Sequence, residues 1–219
     1  MKKMVTMKTF GSREEWLAAR INRIGGSDAA AILGKNPYTT NVQLWKIKVG
    51  MAIPEDISEK PYVKYGIAAE DHIRELFKLD FPEYEVLYQE DNMWLNDKIP
   101  FAHASLDGWL IDQNGRQGIL EIKTTNILQS MQKEKWKGRI PDNYYIQLLH
   151  YLMVTGFDFA VLKAQLKFDY SGEIVLHTRH YKIERSEVEA DIEYLQNSEK
   201  TFWKQVQEQK CPALILPEI

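Results

Sequence analysis

The stretch His103–Thr125, HASLDGWLIDQNGRQGILEIKTT, decides how the chain is read. It predicts a β-hairpin with strands at 101–111 and 118–124, joined by the turn-forming set Asp112, Gln113, Asn114 and Gly115. Side chains alternate faces along a strand, so Asp107 shares a face with His103, Ser105 and Trp109. In the second strand Glu121 and Lys123 point one way, Leu120 and Ile122 the other. Two acids and a lysine from adjacent strands thus converge on one point. Hard cations such as Mg²⁺ take oxygen ligands, and a lysine beside one can orient or deprotonate a water. Asp107 with Glu121-Ile122-Lys123 therefore suits a metal-dependent phosphodiesterase. Glu-Ile-Lys alone suits a solvated pair flanking a buried isoleucine equally well, so the rest of the chain must decide.

A chain of 219 residues suffices for one well-cored domain, or for a domain with a helical appendage. A net charge of −3 argues against a general polyanion-coating protein, while leaving room for basic groups concentrated in a channel. The densest basic run is Lys133, Lys135, Lys137 and Arg139 around Trp136, which fits a solvated loop or a DNA-contacting lining. The only cysteine, Cys211, excludes internal disulfides and four-cysteine zinc or iron–sulfur sites. The amino terminus MKKMVTMKTF lacks the apolar region of a signal peptide, and no apolar run reaches membrane-spanning length. An intracellular protein is expected.

Upstream of the hairpin, Ser12 and Glu15 form a capping box that starts a helix carrying Trp16, Arg20 and Arg23. Trp16 and Arg20, four apart, are neighbours on one face, as a core tryptophan beside a surface arginine would also be. Gly25 and Gly26 break this helix, and Ser27 is expected to cap a short second helix ending at Leu33, with Gly34 as C-cap glycine. Free N–H groups and a hydroxyl at such a helix start suit either a plain cap or a phosphate cradle. Thr40 and Gln43 open a third helix closed by Gly50. A polar loop follows, then a helix over 61–81 with Val63, Ile67, Ile73, Leu76 and Phe77 at helical spacing. Glu70 lies near that stripe, where it either borders a buried polar site or reaches the rim.

Short strands are expected in EYEVLYQ and NMWLN, ahead of the hairpin. Beyond the basic loop, Pro141, Asp142 and Asn143 start a helix that Gly156 stops. Its core stripe is Ile146, Leu149, Leu152 and Met153, and Gln147, Tyr151 and Tyr144 form a second stripe. Two more strands follow, in FAVLKAQLKF and GEIVLHTRHYKI. His177 and His180 are an odd number apart and are not ligands on one strand face. A charged helix over 186–208 turns Val188, Ile192, Leu195, Phe202 and Trp203 inward, and the tail KCPALILPEI is irregular and packed.

The order of these pieces resembles the PD-(D/E)XK nuclease core, an α/β (α+β) fold with a central mixed β-sheet flanked by helices. Asp107, Glu121, Lys123, and Gln147 with Tyr151 match its motifs, although the first lacks the proline of the name. The upstream RIGGSDAAAILGKNPY, residues 23–38, resembles the signature of the phage-type alkaline exonucleases, the YqaJ or lambda-exonuclease family. The resemblance runs from Trp16 to Tyr151 through five separated motifs.

That resemblance implies one exonuclease domain over 1–219, with helices in 12–50 forming an end-phosphate pocket, a nuclease core over 61–181 and the helix over 186–208. It implies that Asp107, Glu121 and the backbone carbonyl of Ile122 hold Mg²⁺, two ions per site with Mn²⁺ able to substitute. Lys123 would position the attacking water, Gln147 support the site, and Glu70 help hold the water or the second metal. Arg20, Ser27 and Ser105 would grip a 5′-phosphate, with Trp16 alongside. The implied activity is 5′-to-3′ degradation of one strand of linear double-stranded DNA in phage-type recombination. It also implies a ring-shaped homotrimer, a single-strand annealing protein as partner, and the cytoplasm of a bacterial host under phage or prophage coding. The alternatives are a RecB-like or restriction-type endonuclease on the same core, or a catalytically silent DNA-end-binding protein.

Overall fold

Local sequence signals set most element boundaries in the computed structural model, which describes residues 4–170 and 172–217. Lys2, Lys3, Glu218 and Ile219, from the two terminal segments read above, lie outside the described residues. The chain begins with β1 (Val5–Lys8), α1 (Arg13–Ile21), α2 (Gly26–Ile32), α3 (Asn41–Lys48) and α4 (Pro61–Asp80). Then come β2 (Glu85–Leu87), β3 (Met93–Asn96), β4 (Gly108–Ile111), β5 (Gln117–Ile127), α5 (Ser130–Lys135) and α6 (Asp142–Thr155). The chain continues through β6 (Phe159–Tyr170), β7 (Glu173–Glu184), a 3₁₀ turn at Arg185–Glu187 and α7 (Glu189–Gln207). Ser12 Oγ accepts from the Glu15 amide at the start of α1, and Thr40 and Gln43 cap α3 reciprocally. Pro61 opens α4 where its missing N–H costs nothing, and Gly156 closes α6 in the left-handed conformation at φ 71°.

The main sheet has the order β2-β4-β5-β6-β7, with β5 and β6 parallel and the other pairs antiparallel. Helix α6 lies in the crossover from β5 to β6, the kind of connection a parallel pair requires. It packs on one face, where Ile119, Ala160, Leu162 and Ala164 meet Leu148, Leu149 and Leu152. Helix α4 packs on the other, where Leu120, Ile122, Phe159 and Val161 meet Ile73 and Phe77. Covering both faces explains why β6 reads as a nearly continuous apolar run.

Four expectations change. The first hairpin strand begins at Gly108, not at 101, because backbone groups of the preceding segment pair elsewhere. The His103 amide donates to the Ile24 carbonyl at 2.9 Å, and Ala104 and Trp94 exchange bonds of 3.1 and 2.7 Å. Second, in α4 Ile67 and Leu76 are exposed, and the buried set is Ile73, Arg74 and Phe77. Third, β1 was not anticipated, and it pairs with β3 in a small separate sheet. Fourth, the basic loop contains α5, with Trp136 buried against Tyr144 and Tyr181 while Lys133, Lys135, Lys137 and Arg139 stay exposed. The tail is held by Asn41, whose side chain donates to the Ala213 carbonyl at 2.7 Å and accepts from the Ile215 amide at 3.0 Å.

Gly118 faces Phe159 across the parallel pair, and a methyl there would sit far inside contact distance of the ring. Gly118→Ala should destabilise the fold by about 1–3 kcal/mol. Urea denaturation would show this as a lower midpoint with an unchanged slope.

Candidate active site

Glu121 and Lys123 lie on the α6-facing side of β5, at the centre of the sheet. Gln147, on α6, donates through Nε2 to Glu121 Oε1 at 2.7 Å and to Tyr151 Oη at 2.8 Å. The Gln-x3-Tyr spacing matters because residues four apart on a helix are neighbours. Lys123 Nζ lies 2.5 Å from the same Glu121 oxygen. Asp107 comes just before β4, and its Oδ2 accepts the Ile122 amide at 2.8 Å, which holds its carboxylate against β5. Glu70 arrives from α4. Arg74, buried on that helix, donates to Glu70 at 2.6 Å and to the Asp107 carbonyl at 2.6 Å, so one guanidinium ties α4 to the acid-bearing segment.

Glu70, Asp107, Glu121, Lys123, Gln147 and Tyr151 line one cavity of about 550 Å³, together with Trp16, Arg20 and Ser105. Trp16 is buried and donates from its indole nitrogen to the Asn92 carbonyl at 3.2 Å. The Arg20 guanidinium lies 4.1 Å from the Trp16 ring centroid, and that of Arg13 lies 4.5 Å from it. Arg13 pairs with Asp91, whereas Arg20 has no salt bridge among the described residues. Ser105 Oγ is buried without a hydrogen-bond partner among the described residues. Ser27 is not brought to the cavity. It is exposed at the second residue of α2, and Gly25 is the N-cap instead. Neither glycine of the pair has a positive φ. They are needed for close approach, since a side chain on Gly25 would meet His103 and one on Gly26 would meet Tyr151 and Gln147.

Two further supports escaped the sequence reading. The Asn92 side chain brackets Leu106, accepting from its amide at 2.9 Å and donating to its carbonyl at 2.8 Å. Through its own carbonyl it also holds Trp16, so it links the Arg20 end of the cavity to the residue before Asp107. His150 Nε2 lies 2.8 Å from the His103 carbonyl, which can only accept, so that nitrogen carries a proton. His150 Nδ1 and Glu199 Oε1, 2.7 Å apart and fully buried, then hold one more proton between them. This pair fixes the start of the segment that delivers Ser105 and Asp107. The signal was present: Glu199 occupies the apolar stripe of α7 with Ile192, Leu195, Phe202 and Val206.

The charge balance is that of a site short of positive charge. Burial, then the neighbouring Asp107 charge, pushes the Glu121 carboxyl up to about 8 against the pull of Lys123. Burial and Asp107 push Glu70 to about 7 despite Arg74. Burial works against a charged Lys123, but Glu121 and Asp107 outweigh it and hold its ammonium above the ordinary lysine range. Glu121 Oε2 is buried with no hydrogen-bond partner among the described residues. Repelling carboxylates around an orphaned oxygen fit a hard divalent cation on Asp107 and Glu121. No three His, Cys, Asp or Glu side chains among the described residues form a ready cage. That suits Mg²⁺, which keeps waters and uses only one or two protein carboxylates alongside substrate phosphate.

The architecture is that of the alkaline exonucleases. LHK-Exo, an alkaline exonuclease from Laribacter hongkongensis, aligns with a TM-score of 0.61 at 17% identity, covering 90% of this chain and 94% of its own. A phage related exonuclease from Haemophilus somnus 129PT aligns with a TM-score of 0.52 at 14% identity, covering 85% and 96%. In sequence, residues 15–158 match the YqaJ-like viral recombinase domain. YqaJ of Bacillus subtilis (strain 168) is 33% identical over 162 residues, which make up 72% of this chain and 48% of YqaJ. The chain belongs to the YqaJ-like viral recombinase family. It spans about half the length of that relative.

Below the raised values of Glu70 and Glu121, both carboxyls hold protons that a cation must displace. Raising the pH through 7 and 8 removes that competition, so Mg²⁺ should stabilise the fold more at about pH 9 than at about pH 6. Melting curves at saturating Mg²⁺ measure this, and a pH-independent shift would contradict the arrangement.

Proposed function

We propose that the chain is a metal-dependent exonuclease that degrades one strand of linear double-stranded DNA from its 5′ end. The observation that carries this reading is the single cavity with two distinct walls. Asp107, Glu121 and Lys123 meet on one, and Arg20, lacking a salt bridge among the described residues, lies over Trp16 on the other. Asp107, Glu121 and the Ile122 carbonyl would hold Mg²⁺, with Glu70 placed for a second ion, and the metal when bound would make a water more acidic and offset charge on the scissile phosphate. Mn²⁺ can substitute.

The chain's own groups do the rest. Gln147 and Lys123 occupy Glu121 Oε1, which leaves Oε2 without a hydrogen-bond partner among the described residues. Glu121 and Asp107 favour the charged form of Lys123, which suits it to orient the attacking water and stabilise developing negative charge. Arg20 suits the terminal 5′-phosphate because a guanidinium offers two parallel donors, and the Ser105 hydroxyl supplies another. Trp16 keeps the Arg20 fork flat and shields it from water.

The family supports a phage-type recombination role, which we place in a bacterial cytoplasm with a single-strand annealing protein as partner. A homotrimeric ring would allow an acidic chain to hold DNA, with the exposed Lys133, Lys135, Lys137 and Arg139 lining its channel. Buried Trp136 anchors that segment, which supports the arrangement. No helix among the described residues is long and apolar enough to cross a membrane.

The deciding experiment compares linear 5′-phosphorylated duplex with closed circular DNA, with Mg²⁺ and with EDTA. Only the linear duplex with Mg²⁺ should be digested; cutting of the circle would make the enzyme an endonuclease. Asp107→Ala and Lys123→Ala should each slow digestion by about 10²-fold or more while duplex binding survives. Arg20→Ala should remove the preference for 5′-phosphate over 5′-hydroxyl ends. An unchanged ratio of the two rates would refute that role.

A further inference from the structure

A second cavity, of about 200 Å³, lies further along the same two elements, α4 and β5, that help to line the first. On β5, Lys123 lines the first cavity, and Thr124 and Asn126 line the second. On α4, Glu70 lines the first, and Tyr62 and Tyr65 line the second. At a strand rise of ~3.3 Å per residue, Asn126 lies about 16 Å along β5 from Glu121.

The second cavity has a different chemistry. Tyr65 is fixed in place, its hydroxyl donating to Gln165 Oε1 at 2.7 Å. Gln165 is the cross-strand partner of Thr124, and Lys167 that of Asn126, so all four occupy the face toward α4. Lys167 Nζ lies 5.2 Å from the Tyr65 ring centroid and has no salt bridge among the described residues. Tyr62, three residues before Tyr65 and so on the same side of the helix, is 55% exposed. No acidic residue among the described residues lines this cavity.

We propose that this groove holds an unpaired stretch of the DNA strand adjoining the catalytic site. Its bases stack on Tyr62 and Tyr65, and a backbone phosphate rests on Lys167. The occupant is a single strand because the rings need base faces freed from their neighbours, and any base offers one. An anionic backbone matches a groove with one unpaired ammonium and no carboxylate. Hydroxyl and amide groups of Thr124 and Asn126 give polar contacts without reading sequence. The proposal rests on the nuclease reading above, and it adds a site that holds the strand without cutting it.

The test is fluorescence anisotropy on the full chain in EDTA, with a fluorescein-labelled oligothymidylate and a blunt duplex as probes. Tyr62→Ala should weaken single-strand binding by about 5- to 100-fold and duplex binding much less. Tyr62→Phe keeps the ring and should bind within about 2-fold of the parent chain. Lys167→Ala should flatten the dependence of log affinity on log salt by about 0.7, the share of one phosphate on a single strand. Equal single-strand binding by Tyr62→Ala and the parent chain would overturn the proposal, as would a loss in Tyr62→Phe as large as in Tyr62→Ala. A change of oligomeric state in Tyr62→Ala by light scattering, with single-strand affinity intact, would also overturn it and give the face to a second copy of the chain. These measurements involve no cleavage. Their failure removes the groove alone, whereas failure of the parent chain to digest linear duplex with Mg²⁺ removes the nuclease reading and leaves the binding result standing.

Discussion

The structure turns on one costly act, the burial of the Glu121 carboxylate at the centre of a sheet. Taking such a charge out of water costs several kcal/mol, roughly, unless partners are supplied. The fold supplies some of them and stops short. Gln147 and Lys123 engage one oxygen, while the other is buried without a hydrogen bond among the described residues. Asp107 adds repulsion, because its bond to the Ile122 amide prevents it from moving away. Only something positive, entering from the cavity, completes the balance.

The elements around this carboxylate can be understood by what they keep in place. Helix α6 must lie close enough for Gln147 to reach β5, and it does so with Gly26 of α2 pressed against Tyr151 behind it. The segment carrying Asp107 is not part of a long strand, so it needs ties of another kind. Asn92 holds Leu106, Arg74 holds the Asp107 carbonyl, and His150 holds the His103 carbonyl. The price is three buried polar side chains, each satisfied only if the segment stays where it is.

Much of this was legible from the sequence, and the limits have physical reasons. The alternation of Glu121 and Lys123 against Leu120 and Ile122 was readable because strand period leaves no freedom once one face is apolar. The caps of α1 and α3 were readable because capping is local chemistry. The extent of the first hairpin strand was not, because 101–104 pair with Ile24, distant in sequence, and with Trp94 in place of the second hairpin strand. Ser27 looked like a cap because Gly-Gly-Ser is a good helix start. Its exposure follows from Gly25 and Gly26 being needed for close packing, which no local rule reveals. In α4, Ile67 looked like core, but the stripe ends before the cavity that Ile67 borders.

The parallel pairing of β5 with β6 also has a consequence in time. Those strands can meet only after the whole crossover through α5 and α6 has been closed into a loop. Local hairpins such as β4–β5 and β6–β7 can form earlier, since their contacts are near in sequence. Until the crossover closes, Glu121 remains in water, with an ordinary affinity for protons and no partner on α6. The acidic centre is therefore assembled only when a non-local pairing closes, and a chain that has not reached that step lacks the contact between Glu121 and Gln147.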